Sequence, residues 1–102
     1  MNGLHAKIDA LHKFRLEVAD HDRELKIREL DARKLRAQLE TEHTTTNKSE
    51  GEKRAKVDQR YVDFELVTAM IAHKRDELLA QAEALRLEVL ATIHANEIAG
   101  MV

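Results

Sequence analysis

Four side chains come nearest to forming a site: His21 and Asp22 in Asp20-His21-Asp22-Arg23-Glu24, and His73 and Arg75 in His73-Lys74-Arg75-Asp76-Glu77. Imidazole and carboxylate are ligand types that zinc takes from proteins, and histidine titrates near neutrality. A third use is structural, because polar groups on a coiled-coil seam cost stability but penalise wrong registers and partners. Lys74 and Arg75 stand beside the histidine and repel a cation. The expectation is therefore a polar core layer of His21, Asp22, His73 and Arg75, with no metal and no cofactor.

The other chemical motifs are thinner. Glu40-Thr41-Glu42-His43 matches the Glu-x-x-His element of di-iron bundles, and Asp9-Ala10-Leu11-His12 resembles it loosely. Such sites need two of these elements and further glutamates facing inward, so these fall short. His5 and His12, seven apart, read as surface residues. No glycine-rich phosphate loop, nucleophile elbow or His-Glu-x-x-His occurs, and the chain has no cysteine. No catalytic residue is assigned, and an enzyme is not expected.

The basic group Lys48, Lys53, Arg54 and Lys56, with Arg60 beyond it, supplies candidate tip contacts. Over 53–60 one acid interleaves the bases and no aromatic stacking partner accompanies them, so a solvated helix start is preferred over nucleic-acid binding. The formal charge of −2 carries no general basic footprint either. Residues 26–60 hold ten Lys/Arg against seven Asp/Glu, whereas 61–102 hold three against seven.

These residues sit on elements whose pattern is legible. The chain of 102 residues has no proline, three glycines and 35% charged residues, the composition of long helices and coiled coils. Leu4, Leu11, Val18, Leu25, Ala32 and Leu39 form one heptad row; Val57, Phe64, Ile71, Leu78, Leu85 and Thr92 form another. Between them, His43-Thr44-Thr45-Thr46-Asn47 gathers β-branched and turn-forming residues. The spacing predicts one domain over 1–102: a helix over about 4–42, a turn over about 43–50 and a helix over about 51–99. Ser49 with Glu52, or Asn47 with Glu50, offers a capping box for the second helix, and Gly100 offers its stop.

The fold class expected is all-α, a long antiparallel helical hairpin forming a two-helix coiled coil. The row beside the first heptad is read as Ile8, Arg15, Asp22, Glu29 and Arg36. The second helix has the fuller seam, with Val57, Tyr61, Phe64, Thr68 and Ile71 in steps of four and three. Favourable acid-before-base pairs four apart, among them Glu24–Arg28 and Glu29–Arg33, support the first helix.

Both helices carry more apolar residues than a two-stranded seam uses. Leu66, Met70, Leu79, Leu87, Leu90 and Ile93 make the candidate interaction face. Two hairpins pairing in a four-helix bundle, a homodimer, would cover such stripes; a larger protein partner is the competing occupant. The expected function is a non-enzymatic protein-protein interaction module: an assembly factor, an adaptor, or a small phage or mobile-element regulator. A hairpin-tip inhibitor of an enzyme complex and a nucleic-acid accessory protein are the alternatives. No apolar run reaches the ~18 residues of a membrane span and the N-terminus lacks a signal-peptide layout, so a cytoplasmic location is expected.

Overall fold

The computed structural model describes residues 2–44 and 47–101, so Thr45 and Thr46 of the expected turn lie outside the described residues. The described chain is all-α: α1 (Asn2–His43), α2 (Lys48–Val57) and α3 (Gln59–Met101). The expected second helix over about 51–99 is thus two helices that meet at Asp58. α3 runs through Gly100 to Met101, so the anticipated glycine stop is not used.

Contacts divide the chain into two compact units, Met1–His21 with Lys74–Val102, and Asp22–His73. In the first unit Leu11 and Val18 of α1 and Leu78, Ala82 and Val89 of α3 are buried. Half-buried Leu4, Lys7, Phe14 and His21 fill the remaining places of a row stepped three and four along α1. Arg75, Leu85 and Thr92 do the same on α3. Lys7 Nζ stands 3.9 Å from Glu88 Oε2, a loose, exposed pair that contributes little.

In the second unit Leu39 is fully buried, and Leu25, Arg28, Ala32 and Leu35 are half-buried along the same face of α1. Tyr61, Phe64, Thr68 and Ile71 of α3 are half-buried in turn. Arg28 reaches Phe64 and Thr68, while Glu42 and His43 reach Arg60 and Asp58. Within this unit the higher-numbered residues of α1 thus bond the lower-numbered residues after α2.

This corrects the row beside the first heptad. The places belong to Lys7, Phe14, His21, Arg28 and Leu35, one residue before the expected Ile8, Arg15, Asp22, Glu29 and Arg36. Ile8, Arg15 and Glu29 are exposed. A heptad row is flanked by two rows, one reached by a step of three and the other by a step of four, and either completes a 3.5-residue seam. Packing in the structure buries the row three residues after Leu4, Leu11, Val18 and Leu25.

α2 begins at Asn47, whose Oδ1 accepts the Ser49 N–H at 2.9 Å from an extended backbone. Ser49 lies inside the helix, so the cap is Asn47 rather than Ser49. α1 closes with Thr44, whose N–H and hydroxyl both donate to the Glu40 carbonyl. Gly51 is buried against that end: a Cβ there would meet Thr44 Oγ1 and lie 3.2 Å from Glu40 O. Gly51 and Ala55, four apart, give α2 one small-residue face on which it docks.

Candidate functional site

Asp58 organises a dense polar cluster that lies wholly in the Asp22–His73 unit. Its backbone is extended (φ −60°, ψ 132°), which ends α2 and allows its carboxylate to cap α3. Oδ1 accepts the Arg60 N–H at 2.9 Å and Arg60 Nε at 3.1 Å. Oδ2 accepts His43 Nε2 at 2.8 Å and Arg60 Nη2 at 3.1 Å. Arg60 Nη2 also donates to Glu42 Oε2 at 2.7 Å. One carboxylate thus joins the end of α1 to the start of α3, and its side chain is only 11% exposed.

The electrostatics follow from the hydrogen bonds. Arg60, then His43, hold the Asp58 carboxyl far below the usual carboxylate range. Arg60 also draws Glu42 down, and the two carboxylates in return raise the guanidinium of Arg60. In the other unit Arg86 donates to Glu83 at 2.6–3.2 Å through two nitrogens and lowers it in the same way. Donors and acceptors in the Asp58 cluster are matched to one another, an arrangement suited to holding backbone rather than to reacting.

A second cluster centres on Arg28. Its Nε donates to Thr68 Oγ1 at 2.7 Å and its Nη2 to the Phe64 carbonyl at 2.8 Å. The guanidinium lies 4.0 Å from the Phe64 ring centre, in cation–π range. The expected intrahelical pairing of Arg28 with Glu24 gives way to this bridge, whereas Glu29–Arg33 forms as expected at 3.0 Å. Beside the bridge lies an open groove of about 340 Å³, lined by Leu25, Ala32, Arg36, Tyr61 and Glu65 among others. Arg36 is engaged with Glu40, which lies one turn further along α1.

The anticipated polar core layer is not buried. Among the described residues no polar or charged side chain is buried. His21 is half-buried and donates from Nδ1 to the Glu17 carbonyl of its own helix at 2.7 Å. Arg75, also half-buried, contacts Asp76 at 3.3 Å. Asp22 is half-buried and His73 exposed. Of the two residues read as core-facing, Arg75 keeps its seam place in α3, while the α1 place passes from Asp22 to His21. Among the described residues no group of three or more His, Cys, Asp or Glu is placed to hold a metal ion.

All six residues of the candidate interaction face are exposed. In the Asp22–His73 unit Leu66 and Met70 stand one helical turn apart, with Met70 70% exposed. Ile27 and Leu30 are also exposed there. In the other unit Leu79, Leu87, Leu90 and Ile93 are exposed along α3, as are Ile8 and Leu16 on α1. Of the tip candidates, Lys48, Lys53, Arg54 and Lys56 are exposed, and Arg54 pairs with Glu50 at 2.6 Å.

Val57 departs from its expected place on the seam: it is 76% exposed because the break at Asp58 turns α2 off the α3 row. Sequence reasoning missed Asp58, Arg28 and Gly51. Arg28 had no signal of its own, because a heptad row has two neighbouring rows, whereas Gly51 was readable as a lone glycine inside a helical pattern. Asp58 carries the weaker signal of a single cap residue inside an otherwise continuous heptad. No helix among the described residues is long and apolar enough to cross a membrane. No protein-family model matches the chain, and neither does any curated protein or solved structure.

Proposed function

We propose that the chain is a non-enzymatic coiled-coil interaction module, a helical hairpin that self-associates into a four-helix bundle and presents its remaining surface to a larger protein. The observation that carries this reading is the imbalance of apolar side chains. Among the described residues thirteen large hydrophobics are exposed, including all six of the candidate face, against seven buried hydrophobic residues. Single exposed leucines are ordinary, but stripes repeating at helical spacing are the form that helix partners cover. A second copy brings an identical stripe, and a twofold arrangement buries both at once.

Light scattering on the purified protein tests this directly. The expected mass is twice 11.7 kDa at micromolar concentration. Leu87→Glu with Leu90→Glu should return it to 11.7 kDa while far-UV circular dichroism stays helical. A wild type that remains monomeric at about 100 μM rejects the homodimer and leaves the stripe to a different protein.

One observation favours a second reading, docking of the basic tip on an acidic partner. Lys48, Lys53 and Lys56 are all exposed on the ten-residue α2. Reversing these three charges should abolish such docking without changing the oligomer, which separates it from the apolar face.

A further inference from the structure

Val57 marks a disagreement between heptad and packing. The row Tyr61, Phe64, Thr68 and Ile71 is half-buried, and Val57, four residues before Tyr61, continues it in sequence. Yet Val57 is exposed and Gly51 and Ala55 are buried in its stead. The whole departure comes from one residue, Asp58, whose extended backbone interrupts what is otherwise a continuous helical pattern. Places where a consistent local pattern is overridden are those expected to be strained or functional.

The bonds at Asp58 define what holds the break. His43 of α1 and the N–H and guanidinium of Arg60 in α3 all converge on its carboxylate. Glu42 secures Arg60 from the α1 side. The Asp58 N–H meanwhile takes the Ala55 carbonyl, the acceptor that Gln59 would use in an unbroken helix.

We propose that Asp58 is a helix-continuity switch. While its carboxylate is bound by His43 and Arg60, α2 stays docked on the end of α1. When those bonds are lost, α2 and α3 fuse into one helix and Val57 takes the seam place beside Tyr61 and Phe64. Gly51 and Ala55 then leave α1.

Chain length explains why the docked form is the resting one. From His43 to Lys48 there are five residue steps, which span about 17 Å when fully extended. In a fused helix Lys48 would stand about 15 Å from Asp58 along the axis. The connection reaches only if nearly straight, so Thr44 must also release the Glu40 carbonyl. Fusion thus couples three events: loss of the Asp58 bonds, undocking of Gly51, and release of Thr44. The proposal stands on the α2–α3 junction and its bonds to the end of α1, and does not depend on self-association.

Asp58→Ala removes the cap and both cross-links while supplying the strongest helix former. The expected results in solution NMR are a helical Cα shift at residue 58 and amide exchange at Gln59 and Tyr61 slowed about tenfold or more. With no native cysteine, Lys53→Cys and Glu65→Cys can carry a label pair, whose Cα separation should lengthen to about 18 Å. An extended residue 58 in Asp58→Ala, or α2 melting without added protection at Gln59 and Tyr61, overturns the switch. Should that variant not fold, His43→Ala with Arg60→Ala keeps the cap oxygen and allows the same three readings. Values there identical to wild type overturn the proposal equally.

Discussion

Leu39 and Asp58 hold the same region of the chain by different physics. Leu39 has no exposed surface, so Leu39→Ala removes its contacts and leaves a cavity. The expected loss is about 2–5 kcal/mol, read as a lower urea midpoint with an unchanged slope. Asp58 acts through charge. Arg60 holds Asp58 and Glu42 below their ordinary values of 3.8 and 4.5. A carboxylate whose folded pKa is depressed stabilises the fold above its unfolded value and loses that contribution as the pH falls through the folded one. Unfolding midpoints should therefore be level near neutrality and fall as the pH drops below about 4.5. Asp58→Asn should flatten that fall; an equally steep acid slope in the variant contradicts the assignment.

At the scale of elements, α2 is held by small residues and α3 by a stepped apolar row. The Cβ of Gly51→Ala would press on Thr44 Oγ1 and the Glu40 carbonyl. Overpacking of that kind costs about 1–3 kcal/mol, against about 1 kcal/mol that alanine otherwise adds to a helix interior. Amide exchange should show the loss first in α2. Val57→Asp gives the opposite expectation. At 76% exposure the substitution should change stability by no more than about 0.5 kcal/mol in thermal melts. A large destabilisation would place Val57 on the seam in the resting state, as the heptad alone suggests. Arg28 links α1 to α3 through a planar fork and a ring face, so Arg28→Lys should cost about 0.5–1 kcal/mol despite keeping the charge.

For the molecule as a whole, the exposed stripes make oligomerisation a thermodynamic quantity. If native chains associate and unfolded ones do not, the melting temperature must rise with protein concentration. A tenfold dilution should lower it measurably, and Leu87→Glu with Leu90→Glu should remove the dependence. A concentration-independent melt in the wild type would assign the stripes to another protein. The six stripe residues were legible in the sequence because helical spacing alone shows that the seam has no room for them.

Composition and period by themselves determined that the chain is helical, where α1 ends near the threonine run, and which apolar residues are left over. Those properties are local: helix propensity, turn chemistry and a 3.5-residue repeat can be read along a line. The face beside the first heptad, the break at Asp58 and the bridge of Arg28 were decided only in three dimensions. A heptad row has two neighbouring faces, and only the partner helix selects Phe14 and Arg28 over Arg15 and Glu29. Likewise Asp58 interrupts a helix that its neighbours would continue, because His43 lies fifteen residues away in sequence and 2.8 Å away in space. The heptad pattern favours a straight α2–α3; the Asp58 cap on Arg60 and the long-range bonds of His43 to Asp58 and of Arg60 to Glu42 hold the break.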